Sequence, residues 1–197
     1  MHVVQLFDDI DSRADALARF VTEGIAAGDV LLVVVPTDHW NAAAKRLRAS
    51  DIAIEPLIES GRVTVLGALE TLKRFERAGA LDARAFDRTV GALVRELSSR
   101  GAPLRICGEM VDVLASRGEF DNAQQLEALW NELHARVPFT LFCAYSAVNF
   151  GDPRSARALR TICHAHSHVE ADHQDVLGSY LLAAYGVRPV GADRASG

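Results

Sequence analysis

Lysine is nearly missing from this chain: Lys45 and Lys73 are its only two, and acidic residues outnumber basic ones to leave a formal net charge of −5. That balance argues against a nucleic-acid-binding face, which needs clustered cations to meet phosphates. The lysine shortage itself carries no functional weight here. Long apolar runs are absent as well. The longest, residues 30–36, falls far short of the roughly 20 residues of a membrane span. The opening MHVVQLFDDIDSR has no basic segment followed by a long apolar stretch, so it does not read as a signal peptide. Cysteine is sparse: Cys107, Cys143 and Cys163 are odd in number and lack CxxC spacing. They suit a reducing cytoplasm better than a disulfide framework. There is no GxGxxG after any apparent strand, no HExxH and no GxSxG.

What is present is an ordinary globular balance, 49% hydrophobic and 24% charged over 197 residues, which excludes a disordered chain and suffices for one well-filled domain. Strand-like and helix-like patterns alternate. Residues 3–7 are apolar and β-branched. Ala14, Leu17, Ala18, Val21 and Ile25 then form one stripe at helical spacing, with Asp11 or Ser12 as the expected cap and Gly28 as the stop. Residues 30–35 are apolar at every position, as in a strand buried on both faces of a parallel sheet. Thr37 or Asp38 is expected to cap a helix reaching about Ala49. Residues 52–54 and 62–66 read as strands, 69–78 and 82–100 as helices, and 104–107 as a buried strand. A short helix over 110–116, a helix over 123–136 capped by Asp121, a strand over 139–145, and helices over 154–168 and 172–185 complete the pattern. The alternation predicts one α/β domain over residues 1–185, a mostly parallel sheet between two helical layers, followed by a frayed tail over 186–197. Ligands of such sheets sit beyond the carboxyl ends of the strands.

A phosphate loop needs glycines whose backbone N–H groups wrap the phosphate, and a lysine for charge. The first strand runs instead into Phe7-Asp8-Asp9-Ile10-Asp11-Ser12, without Gly or Lys and with three carboxylates that repel a triphosphate. Glu109 follows a buried strand, where hydrolytic nucleotide enzymes hold a metal or activate water. A carboxylate there also suits the start of a helix, so Glu109 and the nearby Asp112 are read as facing a ligand or as structural.

His164, His168 and Asp172 fall four apart. On one continuous helix they share a face and offer a zinc or iron site, to which Cys143 or Cys163 could add a thiolate. The competing reading is a solvated, His-rich helix face. Cys107 and Cys143 lie in apparent strands, where cysteine behaves as a small hydrophobe. Trp130 and Tyr145 read as packing residues, or as apolar walls with a polar tip if they line a pocket.

Five segments occur in an order that resembles a known family: His2-Val3-Val4-Gln5-Leu6-Phe7, Gly108-Glu109-Met110-Val111-Asp112-Val113-Leu114, Leu129-Trp130-Asn131-Glu132-Leu133, Leu141-Phe142-Cys143-Ala144-Tyr145, and Ile162-Cys163-His164-Ala165-His166-Ser167-His168-Val169. Together they resemble the MEDS domain, a sensory domain named for methanogens, methylotrophs and a dichloromethane-responsive regulator, over residues 2 to 169. Each segment alone is weak; their joint order and spacing are specific. The resemblance implies a RecA/KaiC-like fold that has lost its P-loop, and the sensing of small molecules such as hydrocarbon derivatives. Members are often joined to histidine kinases or DNA-binding domains. This sequence departs in carrying no recognisable output domain, and in having Phe7 where many members have a tyrosine.

The expectation is therefore a cytoplasmic, bacterial, stand-alone sensory module. Glu109, Asp112, Cys143, Tyr145, His164 and His168 are its candidate ligand-binding residues. No catalytic residue and no cofactor are expected. The expected partners are a small-molecule ligand, a histidine kinase or transcription regulator and a second copy of the chain, with no direct nucleic-acid or membrane contact. The alternative is an enzyme, metal-dependent or with a degenerate nucleotide site, that uses Glu109 and the His164/His168 pair, with zinc or iron on His164, His168 and Asp172.

Overall fold

A computed structural model describes residues 1–150, 153–166 and 168–170. Six strands form one sheet in the spatial order 63–67, 30–35, 104–108, 140–146, 2–7 and 168–170, every neighbouring pair parallel. Strand β1 (His2–Phe7) leads into α1 (Ile10–Ala27), and β2 (Val30–Val35) into α2 (Thr37–Ala49) and α3 (Ile54–Glu59). After β3 (Val63–Gly67) come α4 (Ala68–Leu72), a hairpin of β4 (Glu76–Arg77) and β5 (Ala80–Leu81), and a helix made of α5 (Ala83–Phe86), a π turn (Asp87–Gly91) and α6 (Ala92–Ser98). Then follow β6 (Leu104–Gly108), α7 (Met110–Ser116), α8 (Phe120–His134), β7 (Thr140–Ser146), a 3-10 turn (Ala147–Phe150), α9 (Pro153–Ala165) and β8 (His168–Glu170).

Side-chain alternation along the strands sorts the core into two layers. Leu31, Val33 and Val35 of β2 pack with Leu17 and Val21 of α1, Leu47 of α2 and Ile54 of α3. Val30, Leu32 and Val34 face Leu72, Phe86, Val94, Leu114, Trp130 and Ile162 of the other helices. Both sets on β2 are apolar because both faces are covered, and all six of its side chains are buried. The two layers set the crevice. The chain leaves β2 into α2 on one face, whereas the adjacent β6 leaves into α7 on the other. The sheet therefore splits its helices at the carboxyl ends of β2 and β6, the place where such folds bind ligands. The backbone N–H of Glu109 donates to the Val34 carbonyl at 2.9 Å and pins this point.

Several expectations are corrected. Asp9, not Asp11 or Ser12, caps α1: its carboxylate accepts the Ser12 N–H at 2.7 Å and the Ser12 hydroxyl at 2.8 Å. Position 37 is already helical, the residue before α2 is Pro36, and neither Thr37 nor Asp38 caps it. Residues 52–54 are not a strand; Ile54 opens α3, and Pro56 sits in its first turn, where a missing N–H costs nothing. The helix expected over 69–78 stops at Leu72 and gives way to the hairpin. Its two-residue loop holds Ala78 (φ 51°) and Gly79 (φ 79°) both at positive φ, as a tight hairpin turn requires. Glu119, not Asp121, precedes α8. The helix expected over 154–168 ends at Ala165, and His168 opens a strand. The expected helix over 172–185 and the tail over 186–197 lie outside the described residues. Among the described residues, no helix is long and apolar enough to cross a membrane.

Candidate functional site

The crevice contains a buried charge cluster assembled from both helical layers. Arg13 projects from α1, His39 from α2, Glu109 from the end of β6 and Asp112 from the first turn of α7. One Arg13 guanidinium nitrogen donates to Glu109 Oε2 at 3.1 Å and to Asp112 Oδ2 at 2.8 Å. His39 Nδ1 lies 2.5 Å from that same Glu109 oxygen. The second oxygen of Asp112 accepts the Ser146 N–H at 2.8 Å and the Asn149 amide at 2.7 Å, which ties the cluster to the end of β7. Arg13 is 5%, Glu109 1% and Asp112 8% exposed, so these charges interact with little screening by water.

Electrostatics favour a doubly cationic partner set. Burial works against the Arg13 charge, but Asp112 and Glu109 outweigh it and raise its pKa. The hydrogen bond to Glu109 raises the His39 pKa above its ordinary 6.5, against burial and the Arg13 charge. With His39 protonated, two cations face two carboxylates and the cluster is neutral. A raised folded-state pKa means that the His39 contribution to stability is complete below the unfolded value near 6.5 and is lost as pH rises through the folded value. Urea midpoints measured against pH should therefore show wild type losing its advantage over His39→Gln as pH climbs above 6.5. A gap between the two proteins that is constant or widens with pH would contradict this pairing.

Above the cluster lies an open cleft of about 390 Å³ lined by Asp8, Asp9, Arg13, His39, Asp112 and Asn149, among others. Its rim is acidic. The start of α1, which would otherwise offer free N–H groups to an anion, is occupied by the Asp9 carboxylate. Two buried polar atoms of the cluster, Arg13 Nε and Glu109 Oε1, have no hydrogen-bond partner.

A second buried polar group lies in the other layer. Glu127 of α8 is 1% exposed, yet it stands on the apolar stripe that includes Ala123 and Trp130. The Tyr145 hydroxyl donates to Glu127 Oε1 at 2.8 Å. His2, Cys143 and His166 surround its other oxygen. Burial pushes the Tyr145 hydroxyl and the Cys143 thiol well up, with Glu127 adding to both. Burial also raises Cys107 well up, and Cys163 to about 11. All three cysteines are therefore protonated thiols near neutrality, not activated nucleophiles.

The expected site residues thus fall into two groups. Glu109 and Asp112 meet in the crevice. Cys143 and Tyr145 point into the α8 layer and line no part of that cleft. His164 lies on α9 and His168 on β8, so the shared helix face proposed for a metal does not form; the helix ends between them. Asp172 lies outside the described residues. Sequence reasoning missed Arg13, His39, Glu127, His2 and His166 as site residues. Two signals were available: Glu127 interrupts an apolar helical stripe, and Arg13 stands one turn before Leu17 on the buried face of α1.

Comparison with known proteins agrees with the geometry. The family model of MEDS, the methanogen/methylotroph, DcmR sensory domain, matches residues 1–166. No curated protein gives a significant match. Among solved structures, the flagellar accessory protein FlaH of Methanocaldococcus jannaschii superposes with a TM-score of 0.53 at 10% identity, covering 86% of this chain and 70% of FlaH. A KaiC-like protein of Pyrococcus horikoshii OT3 gives 0.57 at 10% identity, covering 86% and 71%. These similarities carry the fold alone: a three-layer, RecA/KaiC-like α/β architecture, here with an acidic, self-capped first turn in place of a phosphate loop. With the family model spanning everything from β1 to the end of α9, the chain belongs to the MEDS family of sensory domains.

Proposed function

We propose that the protein is a sensory module whose crevice binds a small, uncharged or cationic polar molecule and reports it to a partner protein, a histidine kinase or transcription regulator. The observation that carries this reading is the Arg13–Glu109–Asp112–His39 cluster beneath an acidic cleft. Charged side chains this deeply buried are expensive to hold, and here they sit at the ligand position of the fold with hydrogen-bonding atoms still unpartnered. The acidic rim disfavours nucleoside triphosphates. It leaves room for a donor-bearing ligand that pairs with the carboxylates.

Transmission would use the same atoms. Arg13 and His39 belong to one helical layer, and Asp112 to the other. A ligand that competes for Asp112 or Glu109 loosens the tie between α1–α2 and α7, and shifts the balance between two arrangements of the layers by its differential affinity. A thermal-shift screen tests this with small alcohols, amides and amines in one arm, and inorganic phosphate and ATP in the other. At least one neutral or cationic compound is expected to raise Tm in proportion to the logarithm of its concentration, and Asp112→Asn should abolish that rise. Stabilisation confined to the anionic arm, or no stabiliser in either, overturns the reading.

A further inference from the structure

We propose that His2, Glu127, Cys143 and His166 form a binding site for a divalent transition-metal ion, zinc above all. The four side chains come from β1, α8, β7 and the residue following α9. One ligand atom from each lies within 4.8 Å of all the others. His2 Nε2 is 3.3 Å from Cys143 Sγ and 3.3 Å from Glu127 Oε2; His166 Nε2 is 3.5 Å and Cys143 Sγ 3.9 Å from that oxygen. In a tetrahedral zinc complex with bonds of about 2.0–2.3 Å, neighbouring ligand atoms stand roughly 3.3–3.6 Å apart. The donors already hold nearly that spacing.

Proton accounting points the same way. His2 Nδ1 is 2.9 Å from the Asn131 side-chain oxygen, and His166 Nδ1 is 2.7 Å from the Ile162 carbonyl oxygen. Both oxygens are acceptors, so each Nδ1 carries the hydrogen when its ring is neutral, and each Nε2 then turns a lone pair inward. The inward-facing atoms are then two imidazole lone pairs, a carboxylate oxygen and a thiol, four acceptors with one proton among them. His166 Nε2 is buried without a hydrogen-bond partner and faces the Glu127 carboxylate at 3.5 Å, an arrangement that a cation held between the two would satisfy. The outer contacts match a metal centre too: each histidine is oriented through its second nitrogen, and the Tyr145 hydroxyl holds the free oxygen of Glu127. A nitrogen, nitrogen, sulfur, oxygen set with a closed, buried surround suits a structural zinc ion. Binding would release the Cys143 thiol proton to solvent as the thiolate forms its bond to the metal.

This site is separate from the crevice and lies in the opposite layer from Arg13. It is tested on the full chain, purified reduced and without chelator, by metal analysis and by cobalt(II) titration of the metal-free protein. The expected result is one equivalent of zinc or cobalt per chain, with a thiolate-to-cobalt charge-transfer band and the visible absorption of four-coordinate cobalt. Cys143→Ser should abolish the charge-transfer band, while Cys163→Ser keeps it. Asn131→Leu, which removes the outer contact to His2 Nδ1 and no inward-facing ligand atom, should weaken cobalt binding by roughly 10–100-fold. His166→Gln should weaken it further. A wild-type protein that is folded by circular dichroism yet takes up no stoichiometric metal overturns the proposal. So does a charge-transfer band that survives in Cys143→Ser.

Discussion

Replacing Arg13 with methionine is expected to cost about 3–5 kcal/mol of stability, the loss typical when one member of a buried ion cluster is removed. Methionine keeps much of the apolar stem, so packing contributes little and the charge is what is lost. Glu109 and Asp112 would then face each other, both almost fully buried, with His39 as their remaining cation in the cluster. Urea unfolding followed by far-ultraviolet circular dichroism should show a lower midpoint at an unchanged slope. Adding Glu109→Gln and Asp112→Asn to the Arg13→Met chain should recover part of the loss, because the uncompensated charges go with them. A loss below about 1 kcal/mol, the scale of an exposed pair, or further destabilisation by the two neutralising changes, would show that the cluster is not electrostatically coupled.

Trp130→Ala should be about as severe, costing roughly 3–5 kcal/mol through lost burial and the cavity left behind. The indole is 1% exposed. It makes edge contacts with Phe86 at 5.4 Å and Phe139 at 6.1 Å between ring centroids, so it joins α8 to α5 and to the approach of β7. In a domain of this size the loss lowers Tm by roughly 6–20 °C. Trp130→Phe keeps an aromatic edge and most of the apolar area, and should cost clearly less. If alanine and phenylalanine were equivalent, or if the alanine change stayed within about 0.5 kcal/mol as at a surface position, the indole would not be the keystone of this layer.

Much of the fold can be read from residue order because it rests on local patterns. The fully apolar β2, the helical stripe of α1 and the short helix Met110–Ser116 all stand where periodicity puts them. The acidic turn after β1 reports the missing phosphate loop directly. The hairpin at Glu76–Leu81 is less visible, because its turn is Ala-Gly and not the Asn-Gly that normally signals one. The candidate site divides in the same way. Glu109 and Asp112 follow a strand end, a position that chain order alone identifies. Arg13 and His39 reach the same point from a different layer, and His2 meets Glu127 across 125 positions of chain, so only the sheet order brings them together. The histidine run near residue 166 drew attention by composition. Its contribution to the buried cluster comes from His166, which lies off the four-residue spacing that singled out His164 and His168.

The doubly apolar β2 has one more consequence. A strand with one polar face is held in alignment because a one-residue slide would bury charge and expose its apolar side. β2 has no such safeguard: sliding would exchange Val30, Leu32 and Val34 for Leu31, Val33 and Val35, sets nearly alike in size and chemistry. Its alignment must be set at its ends. At one end Asp29 accepts from Arg105 Nε at 2.5 Å; at the other the Val34 carbonyl accepts from Glu109. The Asp29–Arg105 pair, at the end of the sheet away from the crevice, therefore also acts as a ruler for the central strand, so a change there can misplace a strand whose own side chains would not object.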